Sequence, residues 1–518
     1  MLYLRTTKTA SSATAVQIVK YVDRRKIVVR HIGSAHSPEE LISLQLTGKK
    51  WIEQETHQQN LFPDTKKQIQ LLTPIEKCEY LDTRYSFIYD VLFQLLKLLQ
   101  FDRLNNQLLI DLVIMRIIQP VSKLESLEYL SEMFGINYNR GKLYKQIASF
   151  LTFKNSIEEK AVEFAKQNLS FDFSIVFYDV TTLYFESFKA DEDMVDDKGN
   201  EIMGLKKLGF GKENKQGQPI IVIGLIVTKD GFPVSYEVFA GNTFEGKTFI
   251  PTIVKFKNTY DVKNLIVVAD AAMISFPNVQ SLIANNLSYI VGARMASLKN
   301  EEMKRINKDL IGQNQTAEEL QKIDNKSIRI LTERGLLICD FSLKRYLKDK
   351  REMEKQIARA EKLLLKNEGL KRTKFIKNKD KKKTEQELNT KLIEATKRLL
   401  GIKGYYTNLD KETDETIIKQ YHNLWHVEKA FRIAKSDLAM RPIYHFKKQT
   451  IEAHIMICFM ALAVCKYMEL KTGKSTKKII KLLKSVTEAR MKNLLTGKIF
   501  FMRKELTEEI NQLWKTLV

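Results

Sequence analysis

The chain has 518 residues, of which 85 are Lys or Arg and 62 are Asp or Glu, a formal net charge of +23. Such an excess favours nucleic acid or an anionic membrane surface as partner, although a uniformly lysine-rich sequence would carry the same charge without either. Hydrophobic residues make up 44% of the chain, which argues against wholesale disorder, and the length suggests two to four domains. A membrane span is not expected, because the longest apolar run, residues 455–465, ends at Lys466 after 11 residues, short of the ~20 needed.

The N-terminus begins Met1-Leu-Tyr-Leu-Arg5 and carries no apolar signal-peptide segment. Residues 1–55 alternate polar and apolar around Val16–Val22 and Lys26–Ile32, with Asp23-Arg24-Arg25 as a hairpin turn. From about 60 to 170 the spacing becomes helical, in Val91–Leu99 and Leu108–Ile118, and Pro120 marks a boundary. Arg140, Lys142 and Lys145 recur between these helices, so this region is the expected DNA-binding part of the chain.

Strands dominate between 172 and 292. Ser174–Asp179, Pro219–Thr228 and Pro233–Phe239 follow one another, the last two joined by Lys229-Asp-Gly-Phe232, whose Asp-Gly pair suits a tight hairpin. A helix at Thr248–Lys257, a strand at Leu265–Asp270, a helix at Phe276–Asn285 and a strand at Ser288–Ala293 complete the alternation. This order predicts an α/β fold with a mixed sheet and helices on its faces, as in a ribonuclease-H-like core. Beyond it come strands at Ser327–Leu331 and Gly335–Phe341, a charged helix at Leu343–Asn367, and Lys371–Lys383, with eight basic residues in thirteen.

Three acidic residues stand out. Asp179 and Asp270 end apolar strands, and Glu428 lies in Tyr421–Lys435, which reads as one helix. Two carboxylates on strand tips and one on a helix can hold a pair of Mg2+ ions against a nucleic-acid phosphate. Tyr421, Leu424, Glu428 and Lys435 share a helical face, bordered by Phe431 and Leu438. Each acid also has a plainer use: a Glu428–Arg432 salt bridge, Asp270 as a helix cap, Asp179 opening a turn. Trp425 suits stacking on an unpaired base or burial in the core. His422 and His426 have a metal-ligand spacing but lack the zinc-protease pattern. Four scattered cysteines (78, 339, 458 and 465) form no C-x-x-C pair, and the expected compartment is a reducing cytoplasm. Lys206-Lys-Leu-Gly-Phe-Gly-Lys212 lacks the P-loop pattern and reads as a DNA-contacting loop.

The Tyr421–Lys435 segment resembles the Y-x2-R-x3-E-x6-K motif of bacterial insertion-sequence transposases of the DDE type, with Tyr421, Glu428 and Lys435 at matching intervals. Tyr178-Asp179-Val-Thr-Thr-Leu183 and Val268-Ala-Asp270-Ala-Ala-Met-Ile-Ser275 resemble the two aspartate motifs. Val238–Asn242 and Met440–His445 resemble further patches of that group. The motif arginine is Leu424 here, for which Arg432 or Lys429 could substitute. The 158-residue interval from Asp270 to Glu428 matches a strand-rich insertion that the group often carries.

The resemblance implies a ribonuclease-H-like core at 171–292 and 416–470, split by an insertion at 293–415. A strand and hairpin region at 1–60, a helical DNA-binding region at 61–170 and a C-terminal helical region at 471–518 surround it. It further implies two Mg2+ ions, replaceable by Mn2+, held by Asp179, Asp270 and Glu428, with Tyr421 and Lys435 on phosphate; Arg432 and Trp425 are further expected DNA contacts. The expected activity is cleavage at the ends of an insertion sequence and strand transfer into target DNA, by a homodimer on double-stranded DNA near the nucleoid. A nuclease without strand transfer, or a non-catalytic DNA-binding relative, are the competing readings.

Overall fold

The computed structural model describes residues 2–10, 13–22, 25–56, 75–195, 199, 201–211, 217–312, 316–332, 334–366, 373–378, 386–494 and 496–518. The turn expected at Asp23-Arg24, Lys212, and the basic run at 371–383 apart from residues 373–378 lie outside the described residues. The chain forms two compact units, Met1–Phe87 with Lys484–Leu506, and Ile88–Leu483 with Thr507–Val518.

In the first unit, the strands Leu2–Lys8, Thr14–Val22 and Arg25–Ala35 form an antiparallel meander, and the helix Pro38–Thr56 packs on it. Ala15, Val16, Ile18 and Val19 of the central strand are buried. A second sheet pairs Cys78–Arg84 with Glu488–Asn493, which in turn pairs with Ile499–Arg503. The regions at 61–170 and 471–518, expected to be helical, therefore each contribute strands. Glu488–Asn493 reads Glu-Ala-Arg-Met-Lys-Asn, an alternation carried by Ala489 and Met491 without the β-branched or aromatic residues that announce a strand. It is held by its ladder and by a cross-strand ion pair, Arg490 to Asp82 at 2.8 Å.

The second unit is built on an eight-stranded sheet. Its strands are β1 (Ile175–Tyr184), β2 (Ile220–Val227), β3 (Pro233–Ala240), β4 (Ile266–Ala269), β5 (Ser288–Gly292), β6 (Ser327–Thr332), β7 (Gly335–Phe341) and β8 (Ile402–Thr407). Their spatial order is β6-β7-β8-β5-β4-β1-β2-β3. β1, β2 and β3 are antiparallel, while β4 is parallel to both β1 and β5. That is the mixed sheet of a ribonuclease-H-like core. The segment expected as an insertion adds β6, β7 and β8 to the same sheet, β8 pairing with β5. β2 is buried along its whole length, as its unbroken aliphatic run requires. The β2–β3 hairpin turns at Gly231, whose φ of +82° is a left-handed value that glycine adopts without strain.

Five helices pack on the strands of this sheet, α1 (Glu245–Thr259), α2 (Phe276–Ala284), α4 (Asp414–His422), α5 (Trp425–Arg432) and α6 (Lys448–Thr472), while α3 (Leu343–Lys366) packs on the short strand Gln386–Leu388. α6 is long and apolar enough to cross a membrane, yet it is buried inside the unit from Ala453 to Glu469. The helix Gln107–Ile118 packs on α6 and is buried from Leu108 onward. Its Asp111 accepts hydrogen bonds from Tyr89 (2.6 Å), Gln107 (2.7 Å) and Tyr138 (2.6 Å). This helix is thus a core element, not one free to enter a DNA groove.

Candidate active site

Asp179 is the fifth of the ten residues of β1, not its tip. The apolar run ends there, but Val180-Thr-Thr-Leu-Tyr184 is rich in β-branched residues and continues the ladder with β2. Alternation sends the buried Tyr178 to one face, where its hydroxyl lies 2.8 Å from Thr248 Oγ1 of α1. Asp179 takes the opposite face, cross-strand from Leu225. Its Oδ1 accepts the Val180 N–H at 2.7 Å.

Asp270 follows β4. Ala269 pairs with Tyr178 in the parallel β4–β1 ladder, so the next step brings Asp270 alongside Asp179, on strands about 4.8 Å apart. Asp270 does cap the short helical turn Ala271–Met273, its Oδ1 accepting the Ala271 N–H at 2.7 Å. The same oxygen accepts the Tyr421 hydroxyl at 3.3 Å. Its Oδ2 makes no hydrogen bond among the described residues. Glu428 is exposed on α5, and the salt bridge to Arg432 does not form. Among the described residues the Glu428 carboxylate has neither a hydrogen bond nor an ion pair.

The segment Tyr421–Lys435 is not one helix. α4 ends at His422, and Asn423 and Leu424 turn their N–H groups to carbonyls three residues back. α5 then runs to Arg432 and passes into a π-helical turn, Ile433–Asp437, with Leu438 N–H bonded to the Ile433 carbonyl at 3.0 Å. The tightened turn and the widened one change the rotation per residue, so the segment cannot share a single straight face. His422 and His426 fall on separate helices, and their four-residue spacing makes no ligand pair.

Even so, this segment meets the two aspartates. Asp179, Val180, Thr181, Asp270, Leu424, Glu428, Phe431, Arg432, Lys435, Ser436 and Arg441 line one cavity of about 400 Å3. Residues 91 and 158 positions apart in sequence thus share a single concavity with three bases. Arg441 was missed by residue-level reading, although it lies inside the Met440–His445 patch. Leu424 lines the cavity where the motif has arginine. Lys429 does not take that place, because its Nζ pairs with Glu469 of α6 at 2.7 Å.

Tyr421 is 4% exposed, so its hydroxyl serves Asp270 and is not open to a phosphate. Burial, and then the Asp270 carboxylate, push its phenol well above the ordinary range. Trp425 is half exposed rather than core; it stacks on His426 with ring centroids 3.9 Å apart and is not in the cavity wall. The loop at 206–211 is anchored at its start, where Lys206 is buried 3.6 Å from Asp191 and Lys207 pairs with Asp193 at 2.8 Å, while Leu208 and Phe210 at its tip are exposed.

Three carboxylates form an all-oxygen donor set, the kind that hard divalent cations prefer. Among the described residues, no three Asp, Glu, His or Cys side chains converge closely enough to hold one ion. Asp270 Oδ2 and the Glu428 carboxylate make no hydrogen bond among the described residues and have lone pairs to give, so the donors fit divalent cations in kind.

A search among curated proteins finds no match. Among solved structures, the piggyBac transposase synaptic complex with hairpin DNA is 9% identical, covering 72% of this chain and 68% of that one, with a TM-score of 0.38. The Mos1 transposase paired-end complex with left transposon end is 17% identical, covering 33% and 50%, with a TM-score of 0.16. Neither superposition is close enough to bear on function. The family model for the transposase DDE domain, by contrast, matches residues 171–464, more than half of the chain and all of the cavity described above. This chain belongs to the DDE transposases, enzymes that cut and join DNA.

Proposed function

We propose that Asp179, Asp270 and Glu428 are the catalytic carboxylates of this transposase and hold two Mg2+ ions, with Mn2+ able to replace them. The carrying observation is that these three acids, distant in sequence, line one cavity together with Arg432, Lys435 and Arg441. DDE transposases generally use divalent metal ions. Bound ions would supply the positive charge that activates the attacking oxygen and stabilises the leaving one.

The chain's own residues do the rest. Arg432, Lys435 and Arg441 neutralise phosphates on either side of the scissile bond and hold the strand against the acids. Tyr421 fixes the orientation of Asp270. Trp425, with one face on His426, offers the other to a base at the cleaved end. Leu424 gives the cavity an apolar wall where the motif has a guanidinium, and Arg432 and Arg441 take over its charge.

We read the substrate as the terminal inverted repeats of a bacterial insertion sequence, cut and joined to target DNA by a homodimer in the cytoplasm. The test incubates the protein with labelled element ends, plasmid and Mg2+. Joined products support transposition. Nicks without joining would leave a ribonuclease-H-like endonuclease, and no cleavage at all would remove the proposal.

A further inference from the structure

Behind Asp270 lies a second layer that the carboxylate motifs do not announce. Gly292 ends β5, and β8 beside it carries Lys403, Gly404 and Tyr405, with Gly292 opposite Tyr405. A Cβ placed on Gly292 would stand 2.4 Å from the Tyr421 hydroxyl oxygen, 3.1 Å from Tyr421 Cζ and 3.1 Å from the Ala271 N. Any side chain there displaces that hydroxyl from Asp270.

A cation also lies over the Tyr421 ring. Lys403 Nζ lies 4.4 Å from its centroid and 5.7 Å from that of Tyr405. Among the described residues the Lys403 ammonium has no salt bridge or hydrogen bond, so ring faces are its close partners. Tyr405 and Tyr421 pack with centroids 4.7 Å apart at 57°. Burial, and next Arg345, pull the Lys403 ammonium below its ordinary range, while Asp340, Asp270 and Glu428 oppose that. Lys403 therefore senses two of the three site acids without touching either.

We infer that Gly292 and Lys403 are positioning residues for DNA cleavage: they clamp Tyr421 so that its hydroxyl holds Asp270 Oδ1 and leaves Oδ2 turned to the cavity. The inference rests on the catalytic reading above. It assigns a task in catalysis to β8, a strand of the segment between the second aspartate and the glutamate. Through Tyr421, that segment controls how one carboxylate meets its ion.

The test uses the full-length protein. Cleavage of a labelled element end is followed across a Mg2+ titration, Mn2+ binding is measured by calorimetry, and end binding by fluorescence anisotropy. Tyr421→Phe and Gly292→Ala are each expected to raise the half-maximal metal concentration, and to weaken Mn2+ binding, by about tenfold or more. End binding should stay within about twofold. In the Tyr421→Phe background the 2.4 Å contact is gone and only the two 3.1 Å contacts remain, so Gly292→Ala should add clearly less than it does alone, which is the non-additivity of a shared contact. Lys403→Met should shift the metal dependence, and Lys403→Arg should restore it.

An equal Gly292→Ala penalty in both backgrounds, or an unchanged metal dependence in Tyr421→Phe, would overturn the inference. Asp270→Asn and Glu428→Gln run beside them as controls. If these cleave normally, the catalytic reading falls and this inference with it; if they are inactive and the clamp variants behave as wild type, only the clamp is wrong.

Discussion

Lys429 Nζ lies 2.7 Å from Glu469 Oε2 on α6, so the residue directly after Glu428 faces the helical core and not the cavity. Glu469 also accepts the Thr476 N–H at 3.0 Å, which makes it a junction between α6 and the helix that follows. Neighbours on α5 thus have opposite duties: Glu428 and Arg432 belong to the cavity wall, and Lys429 to the support beneath it.

Lys429→Ala should cost about 1–2 kcal/mol of stability by leaving a buried carboxylate short of a donor, with little change in DNA affinity. Arg432→Ala and Lys435→Ala should do the reverse. Each is expected to weaken end binding and to lower the slope of log affinity against log salt by about one. Anisotropy titrations at several salt concentrations, beside thermal melts, separate the two patterns. A salt slope unchanged in Lys435→Ala would count against its phosphate contact.

Asp179→Asn, Asp270→Asn and Glu428→Gln preserve shape while removing charge. Each should lower single-turnover cleavage by roughly 10²–10³-fold or more, the scale seen when a site loses a principal electrostatic group. End binding should persist. A variant that cleaves at the wild-type rate would falsify the assignment of that residue alone.

Much of this was readable in the residues. The buried aliphatic run of β2, the Asp-Gly turn before β3 and the alternation that produces β4, α2 and β5 were local patterns, and local physics was enough to form them. The trio of acids was legible for the same reason, since each sits in a recognisable short context. What escaped notice depends on distant chain. Glu488–Asn493 is polar and becomes a strand only against Cys78–Arg84. The break after His422 is hidden because a 3.6-residue spacing can be traced straight across it. Arg441 lies in a recognisable patch but reaches the cavity only when its loop returns there, and Lys403, whose neighbours in sequence are unremarkable, gains its place over Tyr421 only through the sheet.

Lys466 supplies a pH test. It is 1% exposed on α6, and burial is the main cause that lowers its ammonium to about 8 from 10.5, with Lys429 adding to the effect. Below about pH 8 it is charged both folded and unfolded, and the fold bears the cost of burying that charge. Between 8 and 10.5 the unfolded chain holds the proton more tightly, so this cost fades as pH rises. Lys466→Met should therefore be more stable than wild type at pH 7, by on the order of 2 kcal/mol, and the gap should narrow at pH 9.5. Melts showing the same gap at both pH values would refute this.

Gly241 tests the packing of the loop beside the sheet. A Cβ there would stand 2.0 Å from the Ile220 carbonyl oxygen and 2.5 Å from that of Lys207. Both are backbone atoms with little room to yield. Gly241→Ala should destabilise the protein by about 3 kcal/mol or more, read from denaturant unfolding. A loss under about 1 kcal/mol would mean that the Ile220 and Lys207 backbones do yield there.

The pairing of β8 with β5 also bears on any attempt to pare this enzyme down. Excising residues 293–415 would strip β5 of its partner and bare a row of amide and carbonyl groups along the cut edge of the sheet. Such an edge recruits other strands, those of a neighbouring molecule included. A shortened nuclease made this way should come out of cells as aggregate, however intact its three acids.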